Sequence, residues 1–148
     1  MKKLMIGLLA CGALLLQVRA AELTWLTDLP KAQAQAKAEN KMVLLDFTGS
    51  DWCGWCKKFD AEVFQTTEFK NYAAKNLVLV QLDYPHTKPQ SDALKKANAE
   101  LKKRYDTHGF PTFVVLNKDG GEIGRQVGYS KGGPQVFTAK LEKFKATK

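Results

Sequence analysis

Two thiols set three positions apart, in Trp52-Cys53-Gly54-Trp55-Cys56-Lys57, are the side chains best suited to chemistry in this 148-residue chain. The run before them, Met42-Val43-Leu44-Leu45-Asp46-Phe47, is apolar and short enough for a buried strand. After them Phe59 and Val63 lie four apart, a helical spacing. The pair therefore stands where a strand hands over to a helix. A thiol at a helix N-terminus lies beside unpaired backbone N–H groups and the positive end of the helix dipole. Both favour thiolate, the nucleophile of disulfide exchange. With a second sulfur one helical turn away, the pair can cycle between dithiol and disulfide, and the spacing predicts a redox site.

The other uses of a C-x-x-C pair fit less well. Structural zinc takes four ligands, and the third cysteine, Cys11, lies far off in an apolar N-terminal stretch. His86 and His108 are the only histidines, and their spacing matches no zinc-finger pattern. Covalent haem attachment requires histidine directly after the second cysteine, where this chain has Lys57. A bridge between residues so close in sequence closes too small a loop to staple distant elements. No metal and no cofactor is expected.

The N-terminus has the pattern of an export signal. Lys2 and Lys3 precede an uncharged stretch from Leu4 to Leu16, and Val18-Arg19-Ala20 offers small residues for cleavage before Ala21. The stretch is shorter than the roughly 20 residues of a membrane span. An uncleaved anchor, or a lipid-anchored form processed at Leu8-Leu9-Ala10-Cys11, are the alternatives. Residues 1–20 are thus expected to be a signal peptide and 21–148 one domain, exported to a periplasm or an equivalent space. Losing Lys2, Lys3 and Arg19 takes the formal charge from +8 to +5. The remaining lysines are dispersed, which points to a solvated surface and not to nucleic-acid binding.

The elements that must position the thiols follow in a regular order. Glu22–Leu26 reads as a short strand, Asp28 and Pro30 as a helix entry, and Lys31–Lys41 as a helix. The Met42–Phe47 strand leads to the helix from Cys53, which is expected to break near Thr66 or Thr67 and resume to Lys75. Leu77–Asp83 is apolar enough to be a strand buried on both faces. Tyr84–Ser91 reads as a loop, Asp92–Tyr105 as a helix with Leu94, Ala97 and Leu101 along one face, and His108–Pro111 as a turn. Thr112–Leu116 and Glu122–Gly128 form a hairpin, and Gly132-Gly133-Pro134 opens a last helix with Val136, Leu141 and Phe144 inward. Three-layer packing suits this order.

At three separated places the chain resembles the thioredoxin family, and within it the exported disulfide oxidoreductases. These are Leu45-Asp46-Phe47 with the WCGWCK segment, Gly109-Phe110-Pro111-Thr112-Phe113, and Asn117-Lys118-Asp119-Gly120-Gly121-Glu122 through Gly128. The resemblance implies a thioredoxin-like α/β/α sandwich around a central mixed sheet. It implies Cys53 as the attacking thiol, Cys56 as the resolving thiol and Pro111 as a cis-proline presenting the backbone of Phe110 to substrate. Trp52, Gly54 and Trp55 would complete the substrate surface. Trp52 reads equally as a core aromatic, and Trp55 as an outward-facing one.

Asp46 matches a buried acid that takes the proton of the resolving thiol, though it could instead hydrogen-bond the strand or cap a turn. It lies seven residues before Cys53, one more than in thioredoxin, with the insertion in Thr48-Gly49-Ser50-Asp51. Trp55 and Ala61 replace two prolines of thioredoxin, and the segment from Tyr84 to Glu100 is longer, so an extra helical turn or loop is expected to border the site. The implied function is thiol–disulfide exchange on protein disulfides or dithiols by a monomer, in the reducing direction, fed by a membrane-bound electron donor. An oxidase, an isomerase, a cytochrome-maturation factor and a non-catalytic client-binding module are the alternatives.

Overall fold

Strand β2 (Met42–Thr48) runs through the centre of the molecule, and all of its residues are buried. It belongs to the computed structural model of the chain, which describes residues 22–147. The expected signal peptide, residues 1–20, lies outside the described residues. The remaining strands are β1 (Trp25–Leu26), β3 (Leu77–Asp83), β4 (Thr112–Leu116) and β5 (Glu122–Val127). They form one sheet in the order β1-β3-β2-β4-β5. β1 and β2 run parallel to β3, while β4 is antiparallel to β2 and to β5. A sheet with both senses of pairing needs crossover helices for its parallel part and a hairpin for the rest.

The helices are α1 (Leu29–Glu39), α2 (Gly54–Phe59), α3 (Thr67–Asn76), α4 (Asp92–Arg104) and α5 (Gly133–Ala146). Side chains alternate across a strand, so β2 divides its residues between two cores. Val43, Leu45 and Phe47 join Leu29, Ala32 and Ala36 of α1 and the Leu101 side of α4. Met42 and Leu44 join Phe59, Phe64, Phe69, Phe113 and Phe137 on the face covered by α2, α3 and α5. The expected three-layer α/β/α sandwich is what forms. Asp46 has the parity of Met42 and Leu44, which points it at the layer that carries the cysteines.

The local signals mostly hold. Asp28 caps α1, accepting a hydrogen bond from the Lys31 amide at 2.9 Å, and Pro30 occupies the first turn. The helix break lies where expected, and Thr66 caps α3. Between α2 and α3 the chain widens into a π-helical turn, Asp60–Phe64, which the sequence pattern does not announce.

Three readings are corrected. The first strand is only Trp25–Leu26, because β1 pairs with β3 over two residues. On α4, Ala97 is exposed and Asn98 is buried in its place, its side chain donating to the Asp83 carbonyl at 3.0 Å. On α5, Val136 is 46% exposed, and Phe137 enters the aromatic core with Leu141. Phe144 does turn inward, lying so close on Gly124 that a Cβ there would collide with its ring.

Candidate functional site

The β2–α2 junction places the two cysteines as the spacing implied. Cys53 is the N-cap of α2, and Cys56 lies in its first turn. The Cys56 amide donates to Cys53 Sγ at 3.2 Å, so the first sulfur sits in the ring of free N–H groups that opens a helix. The two are joined as a disulfide, the oxidised state of the pair. A Cβ at Gly54 would meet open space, so the turn between the sulfurs faces outward.

Beneath this turn lies Asp46. Its strand neighbours in register are Gln81 on β3 and Phe113 on β4. The carboxyl lines a small open cavity of about 210 Å³ together with Cys56, Lys57, Asp60 and Gln81. Only 5% of the residue is exposed. Among the described residues no hydrogen bond reaches its carboxyl. Burial pushes its pKa up to about 8, and the negative charges of Asp60 and Asp83 act in the same direction. A carboxyl with that affinity for protons beside the second sulfur can hold or release one near neutral pH.

The rim is aromatic on both sides of Cys53. Trp52 is 41% exposed, yet three contacts hold it. Its indole N–H donates to the Tyr84 carbonyl at 2.8 Å, its ring stacks on His86 at 4.6 Å and 6°, and Phe110 meets it edge-on at 5.6 Å. A side chain at Gly49 would collide with the indole, so that position must be glycine while Trp52 lies there. Trp55 is 58% exposed and stacks on Tyr129 at 5.1 Å. Tyr129 in turn donates to Glu62, which pairs with Lys58. The Phe110–Pro111 peptide is cis, and Pro111 is tied to the end of β5 by the Gly128 amide donating to its carbonyl at 2.8 Å.

Asp51, a residue with no assigned part in the sequence reading, organises the loop that borders this rim. Its carboxylate accepts the amides of His86, Thr87 and Lys88 and the Thr87 hydroxyl, at 2.7–3.1 Å. Those bonds hold its pKa well below the usual carboxylate range. Ser50 adds a second tie, donating through its amide and its hydroxyl to Asp83 at 2.8 and 2.6 Å. The loop was expected beside the site, but its partners lie some 35 positions away in sequence, and no local motif marks them. His108 is exposed in its turn and pairs with Asp106 at 2.7 Å. The structure therefore brings Cys53, Cys56 and Asp46 together with Trp52, Gly54, Trp55, Phe110 and Pro111, and adds Asp51, His86, Tyr84 and Tyr129 around them. Among the described residues no cluster of metal-ligating side chains occurs, and no helix is long and apolar enough to cross a membrane.

Comparison with known proteins covers the same span. A family model described as a thioredoxin-like domain matches residues 29–145. The disulfide bond reductase DsbH of Chlamydia pneumoniae is 35% identical over 125 residues, covering 84% of this chain and 74% of that protein. The thiol:disulfide interchange protein DsbD of Vibrio cholerae is 34% identical over 104 residues, which cover 70% of this chain but only 16% of DsbD. Among solved structures, a DsbH oxidoreductase superposes with a TM-score of 0.80 at 34% identity, covering 94% of this chain and 97% of that one. A thioredoxin from Thermus thermophilus follows with a TM-score of 0.64 at 25% identity, over 84% and 88% of the two chains.

Proposed function

The chain belongs to the thioredoxin-like family and is a thiol–disulfide oxidoreductase, and we propose that it works as a reductase of protein disulfides with Cys53 attacking and Cys56 resolving. The observation that carries this reading is the Cys53–Cys56 pair at the start of α2, with the Cys56 amide directed at Cys53 Sγ. That amide and the helix N-terminus favour a negative sulfur at position 53. The DsbH match over nearly the whole chain supports the reducing direction.

In the reduced protein the Cys53 thiolate attacks one sulfur of the substrate disulfide, forming a mixed disulfide and expelling the other sulfur as a thiolate. Asp46, across the shared cavity, takes the proton of Cys56 in the fraction of molecules whose carboxyl is ionised. The Cys56 thiolate then attacks Cys53 Sγ, releasing the second substrate thiol and leaving the Cys53–Cys56 disulfide. Two electrons have passed to the substrate. A dithiol donor must return them, and we assign that part to a membrane-bound electron donor. Trp52, Gly54, Trp55, Phe110 and Pro111 form the substrate face. We further propose a monomer exported under the signal of residues 1–20, acting in a periplasm or equivalent space.

The test is the reduction potential of the Cys53–Cys56 pair, read by equilibrating the full chain in defined thiol buffers. A value near about −270 mV supports a reductase, whereas one near about −120 mV makes the protein an oxidant. Cys53→Ser is expected to abolish reduction of insulin, and Cys56→Ser to trap mixed disulfides. Equal residual turnover in both variants would overturn the assigned order of attack.

A further inference from the structure

Trp52 combines two properties that core and surface aromatics seldom share. It remains 41% exposed, yet a hydrogen bond, a flat stack and an edge contact hold it in one orientation. An aromatic ring fixed in advance loses little conformational entropy when a partner covers it, which is how rigid docking anchors gain affinity. The elements that fix it are built from distant parts of the chain. Asp51 gathers the amides of residues 86 to 88 onto one carboxylate, and this sets His86 flat against the indole. On the far side Lys102 lies over the Phe110 ring at 5.0 Å and over Tyr84 at 5.5 Å, closing the corner.

We propose that Asp51 and His86 are positioning residues that hold the Trp52–Phe110 corner as a preformed seat for an apolar side chain of a protein substrate, beside the cysteine undergoing exchange. The proposal rests on the reading that Cys53 exchanges disulfides with proteins, and it names which disulfides are favoured. Charge gives the seat little preference of its own. Around it Asp51 and Asp83 are offset by Lys57, whose Nζ donates to the Asp51 carbonyl, and Lys88, whose Nζ donates to Ser50 Oγ, and the Lys102 charge is directed onto the Phe110 and Tyr84 rings. Apolar contact is left to discriminate. A small hydrophilic disulfide reaches Cys53 without using the seat, whereas a protein segment must lie along it.

The test compares insulin with bis(2-hydroxyethyl) disulfide, which carries no ring, in single turnovers of the reduced full chain and its Asp51→Ala, His86→Ala and His86→Phe variants. With either alanine variant the half-saturating insulin concentration is expected to rise about tenfold while the limiting rate is held, and the insulin-to-hydroxyethyl ratio of second-order rate constants to fall by the same factor. His86→Phe, which keeps a flat ring, should restore most of that ratio. An unchanged ratio in the alanine variants, or parallel loss of both reactions, overturns the proposal. If Asp51→Ala does not fold, the two His86 variants decide alone. A parent chain that reduces neither disulfide would instead overturn the exchange reading, and one that reduces only the small disulfide would overturn the protein seat.

Discussion

Asp46 and Asp51 lie five positions apart, one at the floor of the site and one at its rim, and the fold gives the same side chain opposite properties. Asp46 is buried under the cysteine turn, and burial, with the negative charges of Asp60 and Asp83, raises its pKa to about 8. Asp51 receives three amides and a hydroxyl, which drive its pKa the other way. The unfolded chain would titrate both near 3.8. Between 3.8 and about 8 the folded protein retains a proton on Asp46 that the unfolded chain has lost. Rising pH therefore costs stability across that window. Asp51 contributes stability that is present above about 3.8 and is lost only as pH falls further. The difference teaches that environment, not residue type, decides here whether an aspartate keeps its proton or stays ionised to gather a loop.

The largest effect is expected from taking away the proposed resolving thiol, Cys56. Cys56→Ser is expected to stop turnover at the mixed disulfide, detectable as a covalent adduct on a non-reducing gel. In that background Asp46→Asn should add nothing to the rate of adduct formation. An added loss would mean that Asp46 acts on Cys53 instead.

Next is Asp46→Asn in the parent chain. It is expected to slow resolution of the mixed disulfide about a hundredfold near neutral pH, seen as adduct accumulating in stopped-flow quenching. The same change should stabilise the oxidised protein by roughly 2–5 kcal/mol near pH 9, with the gain vanishing towards pH 4 in urea unfolding. A gain independent of pH would show that Asp46 carries no raised pKa.

Asp51→Asn should have a smaller and reversed signature. It keeps one oxygen acceptor but loses the charge, so Tm is expected to fall modestly above pH 4. The gap to the parent should close as the pH drops further. Equal Tm values at pH 7 would mean that the loop does not depend on the carboxylate. Smallest of all is Trp55→Ala on the opposite rim, where the ring is mostly exposed and held by one stacking contact. Insulin turnover should change by about threefold or less, well short of the effect of disturbing Trp52. A larger effect would move the docking seat to the Trp55 side.

Much of the floor was legible in the sequence. The C-x-x-C spacing placed both sulfurs at the start of a helix, whereas Asp46 beneath them was implied only by the resemblance to the thioredoxin family. Strand alternation and helical repeat are local rules that operate before any tertiary contact is made. The rim was not legible in the same way. Trp52 read equally as docking or packing, because its contacts with His86, Tyr84 and Phe110 come from loops whose approach no local pattern encodes. The inward face of α5 was misread for a related reason. Val136 and Phe137 are adjacent, and the sheet, not the apolarity of either residue, decided which entered the core.

The sequence by itself determined the chemistry and the scaffold: two thiols at a helix start, and an order of elements that packs in three layers. These follow from short-range spacing and from the need to bury apolar faces. Only the tertiary structure decided the electrostatics and the shape of the rim. Asp46 holds its proton because α2 closes over β2, and Asp51 is ionised and Trp52 fixed because the residue 84–88 loop folds back across the cysteine turn. Desolvation and long-range hydrogen bonds exist only once the chain has closed.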